Sequence, residues 1–454
     1  MATSKSWANA AVAGGALAFR PLANAVATPA PGDLPSAPSR QAEVARQRRG
    51  ATSGADWRTL AQVAAKPTSL PSSWSGVDAK GNCHLSHRHS MAVCGGPTDG
   101  ARELAVLFGG NISRTVAGHW QTSSDLTLAE LPCSLDGEIE LQAIPRQSGQ
   151  LWPPGRWGAT LTALQGGYHL WGGWSCERDG SGLWVLRLRE AGAEWQKAKL
   201  EGANPPAAAF HTATPLDDGK RMAVIGGLGE QGSNRGVWMY HADSGSWSHT
   251  SDDGPSCAGH AAGAVDQELA VFGGVERAWS AFMCEDDFRG VTSLFDIRME
   301  RWHAPRALQR ATTAPSARRN PLHATVGRHI IISGGWDDTQ ARCLNDTWAL
   351  DVGSRAWTQL RCNAAPRLEG HKAVVSGFEI FGFGGHNGPS QYPSHLMSMQ
   401  KLSLGVAPRM DGQRFGGSSM MDLDLQSDED DDDDDCEYSD GLEVGSLDDS
   451  DDAA

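Results

Sequence analysis

The sequence predicts an all-β protein in which six copies of one small antiparallel sheet form a closed ring. Six short apolar runs each end in a glycine pair, and the second glycines of these pairs are Gly110, Gly173, Gly227, Gly274, Gly335 and Gly385. Successive second glycines are 63, 54, 47, 61 and 50 residues apart, a period typical of repeat arrays whose units bury their faces against one another. The 454 residues include 54 glycines and 17 tryptophans, which favours short strands and turns over long helices. Together these observations predict a six-bladed β-propeller.

The fifth repeat shows one blade most clearly. A strand at residues 322–326 contains His323, and the apolar run that ends at Gly335 follows it. Further strands are predicted at residues 348–351 and 357–360, which gives four short strands joined by turns. The run before each glycine pair is apolar on both faces, as expected of a strand between two neighbouring sheets. The glycines allow a positive φ and close backbone approach where wedge-shaped sheets converge.

The last strand of each blade predicts how the blades fill their gaps and how the ring closes. Four blades have a tryptophan in this strand, which is large enough to fill the space between adjacent sheets; these are Trp195, Trp247, Trp302 and Trp357. The sixth repeat lacks one, whereas residues 57–60, which begin with Trp57, resemble residues 357–360. We therefore predict that the Trp57 segment completes the sixth blade and removes a free sheet edge. The first repeat has a long irregular stretch up to Pro153 and Pro154, which predicts a distorted blade or an insertion.

These features resemble kelch repeats, with a histidine-bearing strand, an apolar strand ending in two glycines, and a later tryptophan. Histidines precede five of the six apolar runs, and Trp157 with Gly158 stands before the other; the histidines are His89, His211, His260, His323 and His371. The resemblance covers residues 57–404, about three quarters of the chain. It implies a six-bladed propeller over residues 55–405 that usually serves as a protein-interaction platform and less often as an enzyme scaffold.

The loops that follow the glycine pairs are the candidate partner-binding surface. In a propeller such loops gather on one face, and connections carry function more often than strands do. Five of the six loops contain arginine, and two begin with tryptophan; the residues are Arg114, Arg178, Arg235, Arg277 with Arg289, Arg342, Trp174 and Trp336. Arginine binds carboxylates bidentately and tryptophan buries a large area, so both are typical of recognition surfaces. The alternative is that these arginines are solvated loop charges interleaved with acids.

Other motifs give little support for catalysis. Residues 227–232 match the dinucleotide pattern GxGxxG but lack the strand–helix context that gives this motif its mechanism. Cys83, His84, His87 and His89 form a compact group of potential zinc or copper ligands in an irregular loop. The sequence contains no GxSxG, HExxH or GxxxxGK[ST] pattern. We therefore predict a non-enzymatic protein without a cofactor, and the alternative is a propeller enzyme that acts on a small molecule, with a metal in the Cys83–His89 group.

Two low-complexity segments flank the predicted propeller. Residues 406–454 are predicted to be a disordered acidic tail, because residues 422–454 hold 17 acids and no base. Without these residues the chain has 39 bases and 37 acids, so the negative charge belongs to the tail. Four serines have acids on their C-terminal side and are candidate phosphorylation sites; these are Ser427, Ser439, Ser446 and Ser450. The tail predicts basic protein partners or self-regulation, and an alternative function is an acidic-tail chaperone of basic nuclear proteins.

The remaining features concern the compartment. Nine scattered cysteines without a CxxC pair favour a reducing, cytoplasmic or nuclear environment. Residues 1–54 are predicted to be a disordered extension; they are rich in alanine, serine and arginine and poor in acids, which also resembles a plastid or mitochondrial transit peptide. No stretch approaches the roughly 20 apolar residues needed to span a bilayer, and the nearly neutral body lacks a basic stripe for nucleic acid.

Overall fold

The computed structural model describes most of the propeller and neither end of the chain. The described residues are 72–81, 88–96, 103–114, 120–132, 137–175, 182–189, 192–200, 202–229, 232–275, 290–304, 314–363, 365–377, 379–387 and 399–404. The chain divides into two units at Gly417 and Ser418, and every described residue belongs to the first. Within these ranges the regular structure is β-strand, apart from one 3₁₀ turn at Asp217–Gly219, and no helix is long and apolar enough to cross a bilayer.

The strands form six antiparallel sheets, which are the blades of a propeller. Blades 2 to 5 each have four strands, which follow one another in chain order from the axis outward. Blade 2 contains β9 (Thr160–Leu164), β10 (Gly167–Trp171), β11 (Leu183–Arg189) and β12 (Gly192–Lys197). Blade 3 contains β13 (Thr212–Leu216), β14 (Arg221–Ile225), β17 (Val237–His241) and β18 (Ser246–Ser251). Blade 4 contains β19 (Ala261–Val265), β20 (Glu268–Phe272), β21 (Thr292–Asp296) and β22 (Arg301–Trp302). Blade 5 contains β23 (Leu322–Val326), β24 (His329–Ser333), β27 (Thr347–Asp351) and β28 (Ala356–Gln359).

Blades 1 and 6 depart from this pattern at their outer edges. Blade 1 contains β3 (Ala92–Gly95), β4 (Glu103–Phe108), β7 (Leu126–Leu131), β8 (Ile139–Ile144) and a fifth strand, β2 (Ala79–Gly81). The fifth strand pairs with β8 in parallel, so the first repeat is the irregular one, as its sequence predicts. Blade 6 contains β29 (Lys372–Ser376), β30 (Glu379–Phe383), β31 (Met399–Leu404) and, outermost, β1 (Ser72–Gly76).

Three short hairpins follow glycine pairs and extend from the same end of their blades. They are β5 (Asn111–Arg114) with β6 (Trp120–Thr122), β15 (Leu228–Gly229) with β16 (Gly232–Ser233), and β25 (Trp336–Asp337) with β26 (Arg342–Cys343).

A closed cycle of backbone hydrogen bonds joins the six blades at the axis. Each blade contributes one residue with a positive φ just before its innermost strand, namely Ser90, Gly158, Phe210, Gly259, Asn320 and Gly370. The N–H of each of these residues donates to the carbonyl of the preceding blade's equivalent residue, at 2.7–2.9 Å. Ser90 of blade 1 donates to Gly370 of blade 6, so the cycle has no open end. The predicted six-bladed ring is therefore confirmed.

The glycine pairs are explained by the same junctions. The second glycine of each pair donates its N–H to a carbonyl of the following blade at 2.8–3.0 Å. The first glycine lies against that same carbonyl: a Cβ added to Gly109 would be 2.5 Å from the carbonyl oxygen of Arg156. Both glycines of this pair have a positive φ, which side chains with a Cβ rarely adopt. The pair is therefore required for close contact between blades.

The N-terminal strand closes the ring as predicted, but its residues differ from the prediction. The outer edge of β31 pairs with β1, which contains Trp74, and not with residues 57–60, which lie outside the described residues. Trp74 is 2% exposed, and its indole N–H donates to Thr347 Oγ1 of blade 5 at 3.0 Å. The side chain of Asn363 also bonds the backbone N–H and carbonyl of Trp74. These polar contacts fix a serine-rich strand that lacks the alternating apolar pattern of a half-buried strand.

The predicted outer-strand tryptophans lie in β12, β18, β22 and β28. Trp195, Trp247 and Trp357 are at most 7% exposed, whereas Trp302 is half-buried. Trp357 packs against Phe272 of blade 4, with ring centroids 4.9 Å apart. Trp357 therefore fills the space between blades 4 and 5.

The five repeat histidines do not share one structural position, which corrects the sequence interpretation. Only His211, His260 and His371 directly follow the positive-φ residue of their blades. His89 comes two residues earlier in its repeat, and His323 comes two residues later. The number of residues between the histidine and the glycine pair varies among the repeats. Counting along the chain therefore cannot show which histidines are structurally equivalent.

Two of the equivalent histidines bond to the preceding blade. Nε2 of His211 is 2.8 Å from Thr160 Oγ1, and Nε2 of His260 is 2.8 Å from Thr212 Oγ1. Both imidazoles are 3% exposed, so each threonine satisfies a buried ring nitrogen of the next blade.

Replacing Thr212 by valine is expected to lower the free energy of unfolding by about 1–3 kcal/mol, because a buried ring nitrogen of His260 loses its partner. Chemical denaturation monitored by tryptophan fluorescence measures this change. Thr214→Val is the matched control, since Thr214 lies on the same face of β13 and its side chain makes no hydrogen bond to the described residues. An equal loss in both variants would contradict the assigned role of the Thr212 hydroxyl.

Candidate protein-binding site on the loop face

One end of the propeller, which we call the loop face, brings together the starts of the innermost strands and the residues after the glycine pairs. In each blade, a residue just before the innermost strand and a residue just after the glycine pair form an isolated β-bridge. The six bridges are His89–Asn111, Trp157–Trp174, Ala209–Leu228, Ala258–Val275, Arg319–Trp336 and Glu369–His386. Because the strands are antiparallel, the turns between first and second strands lie at the opposite end, which we call the hairpin face. The loops after the glycine pairs therefore start from one ring around the axis.

Blades 5 and 6 contribute a buried polar cluster to this ring, formed by Arg319, Asn320, Asp338, Glu369 and His386. Arg319 Nη1 donates to Glu369 Oε2 at 3.0 Å, and Arg319 Nε donates to Asp338 Oδ2 at 3.2 Å. Asn320 Nδ2 donates to the same Glu369 oxygen at 3.2 Å. The side chain of Glu369 is fully buried and that of Arg319 is 8% exposed. The ion pair therefore depends on its hydrogen bonds to offset the loss of hydration.

Asp338 is the most accessible acid of the polar cluster. Its side chain is 20% exposed, and it accepts a hydrogen bond from the indole N–H of Trp336 at 2.8 Å. Burial raises the pKa of the Asp338 carboxyl, while the adjacent Arg319 guanidinium acts in the opposite direction. The guanidinium also lies over the Trp336 ring, 5.6 Å from its centroid. The indole therefore helps to hold both members of the Arg319–Asp338 pair.

Cys343 lies beside this cluster and is not an activated nucleophile. Burial raises the pKa of its thiol to about 12, and the negative charge of Glu369 acts in the same direction. The reactive form of cysteine is the thiolate, so this residue stays protonated at neutral pH.

Blades 2 and 3 contribute an aromatic cluster formed by Trp157, Trp174 and Phe210. The three rings meet edge to face, with centroids 5.1–5.7 Å apart, a favoured aromatic geometry. Trp157 and Phe210 are at most 7% exposed, whereas Trp174 is half-buried. Trp174 is thus the member of this cluster that a partner can reach.

His89 of blade 1 joins the two clusters into one arc. Its ring centroid is 5.7 Å from that of Trp157 and 4.5 Å from that of His386. The arc runs from blade 5 through blades 6, 1 and 2 to blade 3, with charge at one end and aromatic surface at the other. Most members of this arc are buried, so Asp338 and Trp174, which are partly exposed, are its members that a partner can contact.

The structure places only some of the predicted binding residues. Trp174 and Trp336 start their loops within the arc, but Trp336 is only 6% exposed. Arg235 and Arg342 are exposed, and Arg342 donates from Nε to Gln340 Oε1 at 2.8 Å. Arg114 lies in β5, with only its backbone described, and Arg178, Arg277 and Arg289 lie outside the described residues. The gathering of the loop arginines on one surface therefore stays a prediction.

The other motifs have simple structural outcomes. Leu228, Gly229 and Gly232 of the GxGxxG stretch lie in a short hairpin, so the described part of the stretch has no helix to bind a phosphate. Of the possible metal ligands near the N-terminal side, only His89 lies in the described part of the chain. Across that part, no group of three or more His, Cys, Asp or Glu side chains is arranged to hold a metal ion.

The sequence interpretation missed Arg319 and Glu369, the central pair of the polar cluster. Both stand 16 residues before the second glycine of their repeat. The same offset gives Trp157 in blade 2 and Ala258 in blade 4. Two charged residues at a position that is apolar in blades 2 and 4 are a signal that an alignment of the repeats to one another would detect.

Comparison with known proteins agrees with the fold. The family model of the KLHDC2/KLHL20/DRC7 Kelch-repeats domain matches residues 158–385, half of the chain. The dynein alpha chain of the flagellar outer arm from Chlamydomonas reinhardtii is 29% identical over 296 residues, 58% of this chain and 6% of that protein. Human kelch domain-containing protein 3 is 27% identical over 133 residues, 28% of this chain and 31% of that protein. Adagio-like protein 3 from Oryza sativa subsp. japonica is 29% identical over 227 residues, 47% of this chain and 34% of that protein. The chain thus spans about a third or less of the length of these relatives.

Proposed function

Because the chain belongs to the kelch-repeat family, we propose that it is a non-enzymatic scaffold that binds protein partners through the loop face of its propeller. Kelch propellers generally bind proteins. The observation that supports the proposal most directly is the arc from Arg319 through His89 to Trp174, whose buried contacts hold the partly exposed Asp338 and Trp174 at one end of the axis. Aromatic and arginine side chains are enriched among residues that dominate protein interfaces.

The loop arginines and Trp174 are proposed to contact the partner. The buried polar cluster is proposed to hold the starts of the loops in place. This division follows from exposure, since Arg235 and Arg342 are exposed, whereas Arg319 and Glu369 are buried. The acidic tail, residues 422–454, is proposed to recruit basic partners or to regulate access to the loop arginines.

Replacing Arg178, Arg235 and Arg342 together by alanine is expected to weaken partner capture by about tenfold or more, because bidentate contacts to carboxylates are lost. Quantitative mass spectrometry of affinity-purified full-length protein from the native source measures this change. The melting temperature should stay the same, since Arg235 and Arg342 are exposed.

The matched control is a triple alanine variant of hairpin-face arginines, Arg298, Arg328 and Arg355, which should keep every partner. Partners retained by the loop-face variant at wild-type levels would contradict the proposal. Deletion of residues 422–454 in the same experiment separates partners of the tail from partners of the propeller, because only the former should be lost and should bind in a salt-sensitive way.

The compartment remains a proposal: cytoplasmic or nuclear, or organellar if residues 1–54 act as a transit peptide. Intact-mass measurement of the purified protein tests the second possibility, since import would remove the segment before Trp57.

A further inference from the structure

The outer edges of blades 1 and 6 are covered by other parts of the chain. In blade 1 the edge of β8 is occupied by β2, which adds a fifth strand in parallel. In blade 6 the side chain of Asn363 accepts from the backbone N–H of Trp74 at 2.6 Å and donates to the Trp74 carbonyl at 2.7 Å. These backbone groups of β1 therefore point away from β31, and the side-chain amide takes the place of a further strand. An uncovered sheet edge is a template for pairing with another chain.

Three of the other four blades end in strands that resist such pairing. The outermost strand of blade 4, β22, has two residues, and that of blade 5, β28, has four. The outermost strand of blade 2, β12, includes the charged residues Glu194 and Lys197. Short edge strands and charged side chains are ordinary means of preventing edge-to-edge pairing. In blade 3, by contrast, the six residues of β18, Ser246–Ser251, include no proline, aspartate, glutamate, lysine or arginine.

The edge of β18 is regular over most of its length and accessible. Residues 246–249 pair with β17 in one register, and a β-bulge follows at Thr250. The side chains of Ser248 and His249 are exposed. Beyond its ladder with β17, the backbone of β18 makes no backbone hydrogen bond to the described residues. Because alternate residues of an antiparallel strand direct their N–H and carbonyl groups away from the partner, β18 has donors and acceptors available to another strand.

The charges around β18 favour a basic strand. Asp243 lies in the turn before β18, and Asp252 and Asp253 follow β18; all three are exposed. Residues 242–253 include no lysine or arginine. Among the described residues only Asp252 of these three has an ion-pair partner, His249 Nε2 at 2.9 Å. An added strand with basic residues near its ends would therefore meet acids at both ends of β18.

The same charges disfavour a second copy of this chain as the added strand. If two copies of β18 paired antiparallel about their centres, Asp253 of each copy would lie opposite Ser244 of the other. It would then be next to Asp243 of that copy. Like charges that face each other across strands are destabilising.

We propose that the outer edge of β18 binds an extended, basic segment of a partner protein, which joins blade 3 as a fifth strand. Backbone hydrogen bonds to β18 provide affinity in this mode of recognition, and basic residues of the segment pair with Asp243 and Asp253. In blade 1, β2 shows that an outer edge of this propeller accepts a fifth strand. The edge is separate from the loop-face arc, so the proposal does not depend on the function proposed for that face.

Hydrogen exchange of the full-length protein, measured by mass spectrometry, tests the proposal with a synthetic probe. The probe, acetyl-KTVTVTK-amide, has alternating β-branched residues between two lysines. We expect it to slow amide exchange in residues 246–251 by about threefold or more, because outward N–H groups become hydrogen-bonded. The matched probe acetyl-KTPTPTK-amide has the same charge, but proline has no N–H to donate to a strand. It should leave this exchange unchanged, and it also reports any binding of lysine to the acidic tail.

Two double variants test the charges at the ends of β18. Asp243→Asn with Asp253→Asn should weaken binding of fluorescently labelled acetyl-KTVTVTK-amide, measured by anisotropy, by about three- to tenfold, since two exposed ion pairs are lost. Asp218→Asn with Asp266→Asn is the matched control, because both acids are exposed in hairpin-face turns outside β18. This control should bind as the wild type does. Circular dichroism of each variant shows whether the fold is retained.

The outcomes that would overturn the proposal are distinct. No protection of residues 246–251 by the valine probe, or equal protection by both probes, would show that the edge does not accept a strand. Equal affinity of the wild type and the Asp243→Asn, Asp253→Asn variant would show that the edge does not select a basic segment. Protection without any probe that disappears on dilution would identify a second copy as the occupant, contrary to the proposal.

Discussion

Replacing Arg319 by methionine is expected to lower the free energy of unfolding by about 3–5 kcal/mol, the usual cost of leaving a buried charge without its partner. Glu369 is fully buried, and Arg319 is its cationic hydrogen-bond partner at 3.0 Å. After the substitution the carboxylate keeps the weaker bond from Asn320 and has His386 Nε2 at 3.5 Å. Urea denaturation of the purified protein, monitored by tryptophan fluorescence, measures the loss.

A double-mutant cycle identifies the buried carboxylate as the cause. Glu369→Met should cost less than Arg319→Met, because Arg319 would still pair with Asp338 at 3.2 Å. The double variant should be more stable than Arg319→Met alone, since neither buried charge then remains. Additive losses in the double variant would show that the two side chains contribute through packing and not through their ion pair.

An exposed pair provides the control for this cycle. Arg328 pairs with Asp351 on the hairpin face, and the Arg328 side chain is 47% exposed. Arg328→Met should therefore change the free energy of unfolding by less than about 1 kcal/mol. A large effect in this variant would mean that removing any arginine destabilises the protein.

Much of the fold could be predicted from the sequence because propeller blades are built by local rules. Apolar runs that end at Gly173 or Gly335 specify strands buried on both faces with room for close backbone contact, and Trp357 specifies the outer strand of a blade. Each of these signals depends on residues within one repeat. The structure therefore agrees with the sequence on the six blades and on the role of an N-terminal strand in closing the ring.

The remaining features depend on contacts between repeats. Trp74 lies in a strand without an apolar pattern, and it is fixed by Asn363 and Thr347 from distant parts of the chain. Arg319 and Glu369 come from different blades, and their partnership follows from the register of one repeat against the next. Sequence reasoning treated each repeat separately, so it emphasised loop arginines and missed the buried pair beneath the loops.

Acidification from pH 6.5 to pH 4.5 is expected to destabilise the propeller strongly through the histidines between its blades. Burial, reinforced by the charge of Lys372, lowers the pKa of His211 and His371 to about 3. For His260 burial is again the main cause, followed by the charges of His323, His211 and Lys372, and its pKa also falls to about 3. In the unfolded chain each imidazole takes up a proton near pH 6.5, whereas in the folded protein it does so only near pH 3.

The sign of the effect follows from this difference in bound protons. Between these two pKa values the unfolded state binds more protons, so the free energy of unfolding falls as the pH falls. Each histidine contributes up to about 1.4 kcal/mol per pH unit, and the three together contribute about 4 kcal/mol per unit well inside the window. The full stabilisation is present above pH 6.5. Urea denaturation at pH 7.5, 6.5, 5.5 and 4.5 measures the dependence.

Two substitutions at one blade junction separate titration from packing. His371→Phe should reduce the slope between pH 5.5 and 4.5 by up to about 1.4 kcal/mol per pH unit, the contribution of one histidine that no longer titrates. Leu322→Ala removes a fully buried side chain of the adjacent blade and should lower stability by about 2–5 kcal/mol at every pH without changing the slope. If His371→Phe left the slope unchanged, this imidazole would already be protonated in the folded protein at mildly acidic pH. The blade junction around Lys372 would then tolerate a second positive charge, which the burial of the imidazole and the charge of Lys372 oppose.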